Sequence, residues 1–234
     1  MELKVVKIFL NNFFSLDESE IILKEYWNLQ PKKKILKDWI PLSKLDWYWL
    51  SSNPNAIDLL KANQNKILWE ELSQNPNAIE LLEENLHKIH WDWLSLNKNA
   101  IHLLEKNKHK IEWYHLSQNP NAIRLVKEKI KDEKKLTIDE YNKLKDTDKI
   151  DWEELSENKN AIYLLEQNQD KINWNNLSIN KNAINLLTAN QDKIDWEELS
   201  QNPNAIHLLK KNKEKIDWNN LSYNKNAIHL LEQN

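Results

Sequence analysis

Tryptophan returns every 22 residues, at Trp47, Trp69, Trp91 and Trp113, and again at Trp152, Trp174, Trp196 and Trp218. One motif, [IL]-x-W-x-x-L-S-x-N-x-N-A-I-x-L-[LV], surrounds each of them from Leu45 to Asn234, with a single interruption. A fixed short period marks a stacked array. A unit this small cannot bury its own apolar face and must lay that face against a neighbour. The period therefore constrains the fold before any individual site is considered.

The unit Ile194 to Lys215 shows what one repeat can form. Asp195 is placed to cap a helix over Trp196 to Gln201, with Glu198 as capping-box partner and Ile194 stapled to Leu199. Asn202 reads as a second cap, with Pro203 preset for the first position of a helix running to Lys211. Ala205, Ile206, Leu208 and Leu209 supply the apolar stripe of that helix. Isolated helices shorter than about 12 residues are marginal in water, so stacking must hold both. Proline occupies the start of the second helix at Pro54, Pro76, Pro120 and Pro203. Units with lysine there mostly carry an apolar residue able to staple, as in the pairs Leu96 with Ile101, Ile179 with Ile184 and Tyr223 with Ile228. The start after Glu157-Asn158-Lys159 has neither device and is expected to be the least stable. A leucine-rich repeat shares the period but requires an alternating L-x-L strand, which W-x-x-L-S followed by a cap does not provide.

The recurring Ile, Trp, Leu, Ala, Ile, Leu and Leu are expected to form core columns. The serine after the leucine, Ser51 through Ser222, is expected to bond backbone at the helix junction. The Asn-x-Asn pairs, such as Asn75 and Asn77, are expected to bond between repeats.

Glycine is absent, although ordinary usage of about 7% predicts roughly 16. That removes the P-loop, the dinucleotide fingerprint and the nucleophile elbow, which need glycine backbone. Asparagine is expected to take the left-handed helix ends in its place, at Asn63, Asn85, Asn107, Asn168, Asn190 and Asn212.

The expected architecture is all-α, an α-solenoid of eight 22-residue two-helix repeats with an N-terminal capping region. Residues 1–44 form the helical cap, with a helix over Leu16 to Leu29 opened by a capping box from Ser15 to Glu18. Repeats 1–4 occupy 45–126 and repeats 5–8 occupy 150–234. Between them, 127–149 form a helical insertion within repeat 4. Trp113 and Trp152 stand 39 residues apart, 17 more than the period. Thr137 and Glu140 form a second capping box, opening a short helix over Ile138 to Lys145. The insertion reads as an expanded connection with a solvated lysine face. The last motif ends without a recognisable cap, which leaves end-to-end self-association open.

The chemistry available is narrow. Lys+Arg 33 against Asp+Glu 36 gives a net charge of -3, so no global field favours nucleic acid or an anionic membrane. No segment approaches the ~18 apolar residues of a membrane span. The start, with Lys7, Asn11 and Asn12, does not read as a secretory signal, and the chain has no cysteine, so the expectation is an intracellular, soluble protein. His87 and His90 straddle a turn, and His102, His207 and His229 repeat one exposed position, which is no metal set. Pairs such as Glu70 with Glu71 and Glu197 with Glu198 sit where they oppose a helix dipole. No catalytic, cofactor or metal residue is assigned, and no cofactor is called for.

The repeat departs from itself at the two positions after the column tryptophan. Most units carry Glu-Glu or Asn-Asn there, but the first, third and fourth carry Tyr48-Trp49, Asp92-Trp93 and Tyr114-His115. Tyr48, Trp49, Trp93, Tyr114 and His115 are the candidate surface for a protein or peptide partner; the alternative is that Trp49 and its neighbours pack under the N-terminal cap.

The string W-x-x-L-S-x-N-P-N-A-I-x-L-L, as in Trp69 to Leu82, resembles repeats that fill many proteins of giant DNA viruses of the mimivirus kind. The lead-in Asp38-Trp39-Ile40-Pro41-Leu42 before Leu45-Asp46-Trp47 is similar as well. The resemblance covers residues 38 to 234 apart from the insertion, and brings no catalytic motif. It implies a viral origin, consistent with a chain rich in Lys, Asn and Ile, and a location in host-cell cytoplasm or virion. On this reading the chain is a protein-interaction scaffold acting on host factors; the alternative is a structural virion component assembling through its last repeat.

Overall fold

The computed structural model describes residues 40–232, and of these the side chains of His229 and Leu231 are left aside. Among the described residues there is no strand, and every repeat is built the same way. In repeat 7 a tryptophan helix, Trp196–Gln201, leads through a tight turn to a leucine helix, Ile206–Lys211, and a 3-10 turn, Lys213–Lys215. Eight such helix pairs follow one another from Trp47–Ser52 with Ile57–Ala62 to Trp218–Leu221 with Ile228–Leu231. Each tryptophan helix packs on the next, so the molecule is an α-solenoid. The expected N-terminal cap lies outside the described residues except for its end, where Leu42–Lys44 forms a 3-10 turn.

The start of the tryptophan helix follows the sequence closely. The Asp195 carboxylate accepts the Glu198 N–H at 3.0 Å, as Asp151, Asn173 and Asp217 do in their repeats. The reciprocal half of the capping box is missing. The Asp195 N–H is already taken by Ser178 Oγ of the preceding repeat at 3.1 Å, while Glu198 bonds to Gln201 instead.

The leucine helix begins three residues later than its sequence suggests, at Ile206 rather than Pro203. Asn202, Pro203, Asn204 and Ala205 form a β-turn, closed by Ala205 N–H to Asn202 O at 3.1 Å and by Asn204 N–H to Asn202 Oδ1 at 3.0 Å. Proline presets φ at the second turn position, but the residue there contributes only a carbonyl. Pro54, Pro76, Pro120 and Pro203 accept from the following repeat in the same way as Lys98, Lys159 and Lys181. Proline and lysine therefore supply the same acceptor at this position. Tyr223 is 81% exposed, which leaves it no staple to Ile228. The turn after Glu157 has the full set of bonds, from Asn160 N–H to Asn158 Oδ1 and from Asn160 Nδ2 to Pro120 O, so its bonding does not mark it as weaker.

The helix-end asparagines correct another expectation. Asn63 and its counterparts have φ between -129 and -139°, and no described residue has positive φ. Asn63 closes its helix with the side chain, donating Nδ2 to Leu59 O at 2.9 Å, while its carbonyl accepts the Lys66 N–H. A repeat that never enters the left-handed region does not need glycine.

The core is a set of columns. Leu72, Leu94, Leu116, Leu155, Leu177 and Leu199 from the tryptophan helices are fully buried, with Ala78 through Ala227, and the leucine pairs of the inner second helices, such as Leu81 with Leu82 and Leu208 with Leu209, are buried beside them. Between the columns runs a polar ladder. Each buried serine donates Oγ to the carbonyl of its own column tryptophan and accepts a backbone N–H from the next repeat, as Ser178 does from Asp195. Asn180 donates Nδ2 to Ser156 O and Asn158 O in the repeat before it, and Asn202 does the same to Ser178 O and Asn180 O. Asn182 reaches back to Lys159 O at the outer edge. Buried carbonyls that a helix turn leaves unpaired thus find donors in the adjoining repeat.

The insertion does not interrupt this ladder. The leucine helix of repeat 4 is lengthened to Ile123–Glu133, and a helix over Ile138–Lys143 follows, opened by the Thr137 and Glu140 capping box. That helix ends two residues earlier than expected, because Leu144 turns extended. Glu133 accepts the Ile150 N–H at 3.0 Å, and Asp151 N–H then meets Ser117 Oγ as if no residues had been added. The lengthened helix is tied to repeat 5 through Glu133, while the capped helix has no buried residue.

Candidate interaction surface

The column tryptophans are half-buried and not fully enclosed core. Trp69, Trp91, Trp113, Trp174 and Trp196 pack one side on the buried columns and offer the other to a lysine. Lys88 lies 4.5 Å from the Trp69 ring and Lys110 4.6 Å from the Trp91 ring; both lysines stand just before the column isoleucine of the next repeat. An ammonium over an indole face is attracted by the ring quadrupole while its stem covers apolar surface. The recurring K-[IL]-x-W string carried this signal in the sequence. Trp218 of the last described repeat is 49% exposed.

The two positions after each column tryptophan lie at the opening of the same helix, on the outer side of the tightly packed tryptophan row. Trp49 is 68% exposed, and Tyr48 and Tyr114 are also exposed. Trp93 and His115 are partly covered. Tyr48 and Trp49 meet edge to face at 5.0 Å. Trp93 lies 6.1 Å from His115, which meets Tyr114 edge to face at 5.2 Å. The aromatic residues thus form two groups, Tyr48-Trp49 and Trp93-Tyr114-His115.

Carboxylates join the two groups. Trp93 Nε1 donates to Glu70 Oε1 at 2.9 Å, and the Tyr48 hydroxyl bonds to neighbouring Glu71. That bond, reinforced by the charges of Glu71, Glu70 and Asp46, raises the Tyr48 pKa above the ordinary tyrosine value. The negative charges of Glu154 and Asp151 raise the pKa of Tyr114. Burial holds Glu154 above the usual carboxylate range. His115 is fixed by Glu112, whose Oε2 accepts from the His115 backbone N–H at 2.9 Å and from Nδ1 at 2.8 Å. A carboxylate only accepts, so Nδ1 carries the proton of that bond. The edge therefore alternates exposed ring faces with carboxylates. The expected residues fall into these two groups, and Glu70 and Glu71, which the sequence places against the helix dipole, stand between them.

Among the described residues no group of three or more His, Asp or Glu is placed to hold a metal. None of the described helices is long and apolar enough to cross a membrane. Comparison of the chain with protein families, curated proteins and solved structures finds no match. The class that the fold defines is a helical repeat solenoid, an architecture that commonly mediates protein interactions.

Proposed function

We propose that this chain is a non-enzymatic protein-interaction scaffold that binds a peptide or helix of a partner protein along the aromatic edge of repeats 1–4. The exposed Trp49 carries the reading: a large ring held outward is a common anchor at interfaces. The exposed carboxylate of Glu70 beside the Trp93 ring favours a partner segment that pairs apolar anchors with a basic residue. The resemblance to giant-virus repeats and the Lys-, Asn- and Ile-rich composition support a viral protein that meets host factors in the cytoplasm.

The test is capture of partners from infected cells with the wild-type chain and with Trp49→Glu and Trp93→Glu. A partner retained by the wild type and lost by both variants, with unchanged helical content, supports the surface. Equal capture by all three overturns it.

A second reading starts from one observation: Trp218, Tyr223 and Ile228 of the last described repeat are exposed. On this reading the chain assembles as a virion component through that face. Sedimentation as a monomer at all concentrations removes it, and mass that rises with concentration and falls in Tyr223→Glu supports it.

A further inference from the structure

Seven column tryptophans are followed by another repeat, and six carry a lysine ammonium over the ring, at 4.5 to 5.6 Å. At Trp113 the usual lysine is displaced by the insertion, and Lys129 of the lengthened helix takes its place at 5.1 Å. The exception is Trp152. Its counterpart lysine, Lys171, stands instead 3.9 Å from Asp170.

Local sequence does not explain the exception. Gln169-Asp170-Lys171 is the same tripeptide as Gln191-Asp192-Lys193, both form 3-10 turns, and Lys193 lies 4.8 Å from the Trp174 ring. What differs is the neighbour. The insertion stands over Trp152 and opens a cleft of 320 Å³ there, within the size range of ligand sites. Ile130, Leu136 and Ile138 form its apolar wall, and Trp152 and Tyr141 bring aromatic rings to it. The wall is held in place: Ile138 opens a helix fixed by the Thr137 and Glu140 capping box, yet its own side chain is 80% exposed. Of the charged groups at the cleft, Glu133 and Asp170 balance Lys134 and Lys171. Net charge therefore selects nothing, and the open indole face decides what binds.

We propose that this cleft binds an alkylammonium group of the kind a lysine side chain on a partner protein presents. The stem lies along Ile130, Leu136 and Ile138, and the ammonium takes the Trp152 face that every other inner repeat fills with its own lysine. The array thus displays the chemistry of the ligand in six copies and leaves the seventh seat for a group from outside. This site is separate from the aromatic edge and stands whether or not that edge binds a partner.

The test uses the whole chain with ¹⁵N-labelled indoles, the Trp152 signal being identified by its loss in Trp152→Phe. Nα-acetyl-lysine methylamide shifts the Trp152 signal saturably and leaves Trp174 in place. The neutral norleucine analogue binds about five-fold more weakly, the factor that ~1 kcal/mol of cation–π attraction produces. Lys171→Gln removes the internal competitor and tightens binding by about two-fold or more. Ile138→Lys, at an exposed position that leaves folding intact, supplies a new competitor and weakens it. Equal response to the norleucine probe, an equal shift at Trp174, or weaker binding in Lys171→Gln overturns the proposal. Tetramethylammonium binding more tightly than the lysine probe assigns the seat to a free quaternary amine and overturns the partner lysine.

Discussion

The first four repeats and the last four share a buried side and differ along the exposed edge. Leu94 and Leu177 occupy equivalent positions with no exposure, and Asn97 and Asn180 make the same two bonds to the repeat before them. Outside, the first half carries Tyr48-Trp49, Asp92-Trp93 and Tyr114-His115, whereas the second carries only glutamate and asparagine pairs. The leucine helices of the first half are also tied across repeats by Lys61 with Glu80, His102 with Glu83 and Arg124 with Glu105. The ladder fixes the backbone with side chains that all point inward or along the seam, so the outer positions can differ without cost to the fold. A difference there is the place to look for function.

The strongest way to break this comparison is to cut a core column in each half. Leu94→Ala and Leu177→Ala each remove a fully buried side chain and are expected to cost about 2 to 5 kcal/mol, equally in the two halves. Urea unfolding followed by circular dichroism measures both. Two transitions in Leu177→Ala, with the first half surviving, would show that the halves fold as separate units, as a quasi-linear array permits.

A somewhat smaller effect is expected from the ladder. Asn97→Ala and Asn180→Ala each leave two buried carbonyls without a donor, a loss of about 2 to 4 kcal/mol. The outer asparagines, Asn99 and Asn182, make one exposed inter-repeat bond each, and their alanine variants are expected to lose about 1 kcal/mol or less. A loss at Asn99 as large as that at Asn97 would show that the ladder is not graded by burial.

The fold was legible in the sequence because one period forced one architecture, and Trp196–Gln201 begins and ends where its cap and following asparagine indicate. The second helix was misplaced because Asn-Pro has two local meanings, a helix cap with N1 proline or the first two positions of a β-turn. Only the carbonyl acceptor role of Pro203 in the next repeat distinguishes them. The asparagines at helix ends were read as left-handed because such residues commonly are. In the structure the Nδ2 bond to the carbonyl four residues earlier closes the helix at negative φ. The candidate surface was visible as a break in the repeat, but its carboxylate links cross between repeats, a relation that appears only when the stacking offset is known.

Smaller again is the expected effect at the exposed edge. Trp49→Glu is expected to change stability by less than about 0.5 kcal/mol, because little of the side chain is covered. Trp93→Glu is expected to cost about 1 kcal/mol: it removes the indole bond to Glu70 and puts a second carboxylate beside it. Melting temperatures separate the two. A loss of more than about 3 kcal/mol at Trp49 would place it in packing and remove the surface from consideration.

The smallest effect belongs to the junction between the halves. Burial raises the pKa of Glu133, opposed by the Ile150 N–H and the charges of Lys129 and Lys149. A carboxyl whose folded pKa is raised binds its proton more tightly in the native state. Its contribution is therefore fully present below the unfolded value, about 4.3 for glutamate, and is lost as pH rises through the folded value. Glu133→Gln keeps an oxygen for the Ile150 N–H and removes the ionisation. The variant is expected to melt about a degree or two above wild type at pH 7, with the difference closing as pH falls through the carboxylate range. A variant that melts lower at pH 7 would mean that the Lys129 and Lys149 charges outweigh burial. The lengthened helix would then be held against repeat 5 by ion pairing rather than by its backbone bond.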